Sequence, residues 1–216
     1  MKTVARRRRK HRRRLPRSLR LPAALLAAVL LLLAVWLLVF RDNTPPPAAV
    51  APEWVEQALL PVNAYSRPGD KLEAVNGIVI HNTGNPGTTA VQNRSYFAGL
   101  AGSHETHASS NFIVGLKGEV LQAVPSDEVA YASSQRNYDT LSIEVCHSDD
   151  TGEFGDETMD SLVALVQWLV DYYKLDRSQI IRHYDVTGKE CPVWYVRHPE
   201  AWEDFLDALD FSHSGN

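Results

Sequence analysis

The chain has 216 residues, a formal charge of −4 and two cysteines, enough length for one sizeable domain with additions. The charge is uneven: residues 1–20 hold eleven Lys/Arg and no acid, which leaves eleven Lys/Arg against all 26 Asp/Glu in the remainder, a formal −15. So acidic a body argues against a nucleic-acid partner, because neutralising phosphates needs a basic face.

The basic block "RRRRKHRRR" leads into "LPAALLAAVLLLLAVWLLVF" (21–40), twenty residues without a charge, bracketed by Arg20 and Arg41. About 20 apolar residues cross a ~30 Å hydrocarbon core as a helix. The arginine-rich flank predicts a cytoplasmic N-terminus and a body on the outer side. A cleavable signal peptide has an apolar region of about 7–15 residues. The nearest small-residue site here, Ala49-Val50-Ala51, runs into Pro52. An uncleaved single-pass anchor in the lipid bilayer is therefore expected, and a twin-arginine export signal fits less well. The expected organisation is a basic cytoplasmic tail (1–20), a transmembrane helix (21–40), a stiff Pro/Ala linker (41–52) and one monomeric extracytoplasmic domain (53–216).

Within that domain, "EWVEQALL" after Pro52 predicts a short helix over 53–60. "GIVIHN" (77–82) is β-branched and reads as a buried central strand, and "TTAVQNRSYFAGLA" as a helix. "NFIVGLKGEVLQAV" (111–124) predicts a hairpin turning at Lys117-Gly118. "TLSIEVCH" (140–147) is a further strand. Leu162, Leu165, Val166, Leu169 and Tyr173 give the i, i+3, i+4 stripe of a helix over 158–175. "QIIRH" (179–183) is a short strand, and Pro199 opens a last helix carrying Trp202, Phe205, Leu206 and Leu209 on one face. Strands alternating with helices predict an α/β fold, a central mixed, mostly parallel sheet flanked by helices.

Two strands each end in a histidine, His81 and His183, and Cys191 follows the second. A lone histidine at a strand end is more often structural. If the two strands are neighbours, under 5 Å apart, both imidazoles reach one ion and the cysteine can fold back to it. Two histidines and a thiolate suit zinc, and a three-ligand set leaves a fourth position for water, the arrangement of catalytic rather than structural sites. Strand alternation puts Ser142, Glu144 and Cys146 on one face, with Ile143 and Val145 on the other. A glutamate in so apolar a strand needs a partner or a task, and structural ion pairing is the alternative. A Cys146–Cys191 disulfide would remove the site. His104 and His107, in a polar loop, and His147, His198 and His213 read as solvated residues.

"GIVIHNTGNPGTTA", "SSNFIVGLKGEVLQAVPSDEVAYAS", "TLSIEVCH" and "IIRHYDVTGKECPVWY" resemble, in order, the motifs of the type-2 N-acetylmuramoyl-L-alanine amidases, relatives of the peptidoglycan recognition proteins and phage amidase endolysins. The resemblance spans about 55–210. It implies the peptidoglycan recognition protein-like fold and a zinc enzyme, and the short tether and single membrane span fit a bacterium whose wall lies just outside the plasma membrane. That enzyme cleaves the amide between N-acetylmuramic acid and L-alanine in peptidoglycan. Carried onto this sequence, it implies His81, His183 and Cys191 as Zn2+ ligands, Glu144 as proton shuttle and Lys189 as oxyanion stabiliser. Asn111 and Thr83 are the substrate-binding candidates. The chain departs from the pattern at about Ser110, where another branch has a tyrosine, and at Asn111, often histidine in relatives. Asn can donate a hydrogen bond there but not a proton. A binding-only recognition module and a zinc carboxypeptidase acting within the stem peptide are the rival readings.

Overall fold

The computed structural model describes residues 45–212 and, within the apolar run, Leu26, Val29, Leu30 and Leu33, which are helical and exposed. Among the described residues no helix is long and apolar enough to cross a membrane. The expected tail and most of the expected span lie outside them, as does His213. The chain divides into two units, 1–43 and 44–216, and every described strand belongs to the second.

Six strands form one sheet in the order β1-β4-β3-β5-β2-β6: β1 Val55–Gln57, β2 Ile78–Asn82, β3 Phe112–Val114, β4 Val120–Gln122, β5 Leu141–Val145 and β6 Ile180–Arg182. All neighbours are parallel except the β3–β4 hairpin. Gly118, at φ 75°, makes the hairpin turn, a conformation that strains any residue with a Cβ. The sheet is thus mixed and mostly parallel, as expected. The predicted helix over 53–60 is corrected to strand β1. Its Val55, Glu56 and Gln57 pair with Val120, Leu121 and Gln122, and the open edge of the sheet outweighs a local preference too short to sustain a helix.

The helices are α1 Ala90–Ser103, α2 Asp156–Tyr173, α3 His183–Thr187, α4 Val193–Arg197 and α5 Pro199–Asp207. Thr89 and Gln92 cap α1 reciprocally. Asp156 and Glu157 in the first turn of α2 complement its dipole. The stripe of α2 packs with Trp202, Phe205 and Leu206 of α5 against Ile78, Ile80, Phe112, Ile143 and Val145. On the opposite face, Phe97 and Leu100 of α1 meet Ile113, Leu121 and Cys146. The parallel strands β2, β3, β5 and β6 end on one side, and their C-terminal ends hold the site.

The loop before β2 is tied to the 125–128 loop by a two-pronged ion pair, Arg67 Nε–Glu128 Oε2 at 2.7 Å and Arg67 Nη2–Glu128 Oε1 at 3.1 Å. Arg67 also donates to Leu60 O at 2.7 Å. Burial works against the Glu128 charge, but Arg67 and Lys71 outweigh it and hold the carboxyl below its usual range. Its stabilising share is therefore present above about pH 4.5 and lost as the pH falls through the depressed value. Arg67→Ala strands a largely buried carboxylate, and a urea melt at pH 7 should show a loss of about 3 kcal/mol.

Candidate metal centre and active-site cleft

His81 is the fourth residue of β2 and only 2% exposed. Strand β6 lies against β2 with Arg182 opposite Ile80, so the next residue of each strand, His183 and His81, meet at the sheet end. Their ring centroids are 4.5 Å apart. His183 does not extend β6 as expected. It opens α3, because Arg182 and Asp185 cap a helix there. Gly188, at φ 77°, ends α3 and turns the chain back. The return is fixed by Tyr184 N donating to Cys191 O at 2.9 Å. Asn82 secures it from β2: its N–H points at Cys191 Sγ at 3.4 Å, and its Oδ1 accepts from Val193 N at 2.8 Å. The candidate ligand atoms of His81, His183 and Cys191 all lie within 4.8 Å of one another.

The donor set fits a metal ion. His81 Nε2 sits 3.2 Å from Ser133 Oγ, while Nδ1 faces Cys191 Sγ at 4.0 Å. An N–H on Nε2 donating to Ser133 leaves the Nδ1 lone pair free towards the cluster. His183 Nδ1 is buried without a partner, an orphan that a cation would satisfy. Burial, then His183 and Lys189, hold His81 well below its ordinary pKa. Burial, then Lys189, lower that of His183. Both rings are therefore neutral, the form that ligates. Burial, then Glu144, push the Cys191 thiol up to about 12, so it keeps its proton until a cation displaces it. Two imidazoles and one thiol suit zinc and leave one coordination position open.

Glu144 stands in register with His81 on the neighbouring strand. The alternation expected of β5 holds: Ile143 and Val145 lie in one core cluster and Cys146 in the other. Glu144 is partly exposed as a residue, yet its Oε2 is shut off from solvent with no partner. Burial raises its carboxyl to about 8, with Lys189 working against that rise. Lys189 is exposed and joins His81, Glu144, His183 and Cys191 in lining a cleft of about 280 Å³, with Phe97 and Tyr131 among the other walls. An adjoining space of about 250 Å³ is walled by Thr83, Asn93 and Tyr96 and shares Glu144. Five of the seven candidate residues thus line the cleft, and Thr83 lines the space beside it.

Asn111 does not. It has no exposed surface, and its amide donates to Pro125 O and Glu128 O while its Oδ1 accepts from Ser142 N and Oγ. All its hydrogen-bonding capacity staples β3 to its surroundings, which removes it from the substrate-binding candidates. Ser110 is likewise buried, its hydroxyl spent on Phe112 O and Ser142 O. His147 is corrected from surface residue to buried clamp: its ring spans Thr83 O at 2.8 Å and Asp149 O at 2.7 Å. Cys146 and Cys191 are both free thiols. Sequence reasoning missed Ser133 and Tyr131, which lie on a loop with no periodicity to mark them. It also missed Asn82, whose only signal was its place next to His81.

A profile of the family described as N-acetylmuramoyl-L-alanine amidase matches residues 71–194, a span that contains every candidate named above. A "Probable N-acetylmuramoyl-L-alanine amidase" of Bacillus licheniformis is 38% identical over 161 residues, covering 69% of this chain and 45% of that protein. The chain spans about half the length of the curated relatives it matches. Among solved structures, a "Mutant endolysin from Bacillus subtilis" superposes with a TM-score of 0.61 at 25% identity, covering 72% of this chain and 98% of that one. PlyL superposes with a TM-score of 0.63 at 20% identity, over 73% and 98%, a likeness of fold. With a profile match over more than half its length, this chain belongs to the N-acetylmuramoyl-L-alanine amidase family.

Proposed function

We propose that the chain hydrolyses the amide between N-acetylmuramic acid and L-alanine of peptidoglycan, using one zinc ion held by His81, His183 and Cys191. The observation that carries this reading is the meeting of those three donors in one cleft with Glu144, whose buried Oε2 has no partner. Zinc, when bound, supplies a Lewis acid for a carbonyl and makes water acidic enough to attack at neutral pH. Glu144 Oε2 takes the proton of the attacking water and returns it to the leaving amine nitrogen. An acid raised towards the working pH suits both transfers. The Lys189 ammonium faces the charge that develops on the carbonyl oxygen. Ser133 and Asn82 hold the His81 ring and the Cys191 loop, so that the donors need not reorganise. Thr83 forms the wall along which substrate lies.

The cellular setting we infer places residues 1–20 in the bacterial cytoplasm, 21–40 through the plasma membrane, 41–52 as a spacer and 53–216 as a monomeric domain facing the wall, a reading supported by the arginine-rich flank and the uncharged run of the sequence. Mass analysis of digested wall fragments tests the activity. Intact muramic acid and peptides beginning with free L-alanine are expected. Release of a terminal stem residue would make the protein a carboxypeptidase, and binding without release would make it a recognition module. Intact mass of the membrane fraction tests the anchor, which loss of the first fifty or so residues would refute.

A further inference from the structure

His147 follows the end of β5 and is buried where two parts of the site meet. Its ring is held at both nitrogens, with Nε2 2.8 Å from Thr83 O and Nδ1 2.7 Å from Asp149 O. Its own carbonyl accepts from Gly87 N at 2.8 Å. The loop from Thr83 to Gly87 therefore hangs from this one residue at both ends. Thr83, Gly84 and Asn85 of that loop wall the space beside the cleft.

Thr83 O takes a second donor, Asn82 Nδ2 at 3.0 Å, and the same Nδ2 lies 3.4 Å from His147 Nε2. These contacts fix one end of the Asn82 amide. The other end, Oδ1, accepts from Val193 N at 2.8 Å, and the Asn82 backbone N–H points at Cys191 Sγ. The amide is planar and rigid, so its two ends cannot be oriented separately. If Thr83 O shifts, Nδ2 follows it and Oδ1 leaves Val193 N. A contiguous set of hydrogen bonds thus joins Gly87, His147, Thr83 and Asn82 to the Val193–Cys191 turn, the kind of network that carries coupling between sites.

We propose that His147 is a positioning residue that couples the Thr83 wall to the Cys191 loop through Asn82, so that zinc binding and order in the wall loop support each other. The inference rests on the metal site of the amidase reading. Linkage makes the effect reciprocal: zinc orders the wall, and whatever occupies the wall tightens zinc.

The test uses the full chain. Competition with a chromophoric chelator reads zinc affinity, and the thiolate-to-metal absorption of the Co2+-loaded protein reports on Cys191. In the wild type, zinc should slow amide exchange at Gly87 about tenfold, as well as at Val193. His147→Leu is close in volume and removes both nitrogens. It should weaken zinc about tenfold, shift the cobalt absorption and abolish the protection of Gly87 by zinc. Asn82→Ala should weaken zinc at least as much, and adding His147→Leu to it should cost less than about twofold more, because the path is already cut. Fully additive losses would mean that His147 merely supports the fold, and would overturn the coupling. So would an unchanged zinc affinity in His147→Leu, or protection by zinc confined to the Cys191 loop, a wild-type measurement that needs no variant to fold. Coupling present in a protein that cuts no wall fragment would keep the role of His147 and sink the amidase reading. Cleavage of wall fragments with fully additive losses would do the reverse.

Discussion

Glu144→Gln is expected to lower kcat on wall fragments by about 10²–10⁴-fold, the usual contribution of a positioned general base. About one zinc per chain should remain, since the residue lies beside the ligand set rather than in it. The same substitution should stabilise the metal-free protein. In the folded chain Glu144 holds its proton up to about pH 8, whereas the unfolded chain releases it near 4.5. The folded state therefore binds more protons across that window, and stability falls as pH rises through it. Glutamine does not titrate. Its advantage should therefore grow from about pH 4.5, reach its full size above about pH 8 and vanish near pH 4. Melting temperatures of the metal-free proteins across pH measure it. His81 imposes an opposite slope on both: with its pKa held well below 6.5, its contribution is lost as the pH falls below that value. Wild-type turnover by Glu144→Gln would remove the residue from the mechanism.

Cys191→Ser should abolish detectable hydrolysis and weaken zinc binding by at least about a hundredfold, since losing an outer-shell partner alone costs about 10–100-fold. Competition with a chromophoric chelator reads the affinity, and metal analysis after dialysis reads the stoichiometry. The fold should persist without the ligand. Cys191 lies on a loop tied independently by Tyr184 N to its carbonyl and by Val193 N to Asn82 Oδ1, and the core clusters form on both faces of the sheet without it. An unchanged zinc affinity in the variant would mean that the thiol is not a ligand.

The strands that carry the site were legible because they are buried on both faces. "IVI", "FIV" and "LSIEV" cannot be amphipathic helices, and their β-branched content marks them. The helices α2 and α5 announced themselves by period, and α5 also by Pro199 at its start, while α2 begins at Asp156, two residues before the expected 158. Strand β1 was misread because its pairing partner, Val120–Gln122, is more than sixty residues away. No local pattern reports an open sheet edge. Asn111 was misjudged for a related reason. An asparagine near a predicted cleft can serve a ligand or the backbone, and only its four hydrogen-bond partners decide between them.

The sequence by itself determined the types of chemistry present: two strand-end histidines, a following lysine and cysteine, and a glutamate placed by alternation on the face of Cys146. Tertiary structure alone decided that these become one site. Proximity of His81 to His183 depends on β6 choosing β2 as its neighbour. The approach of Cys191 depends on a left-handed Gly188 and on hydrogen bonds from Asn82 and Tyr184. The orphaned Glu144 Oε2 and His183 Nδ1 likewise exist only after packing has excluded water. A chain encodes donors locally, but distance and desolvation, which turn donors into ligands and bases, belong to contacts a hundred residues apart.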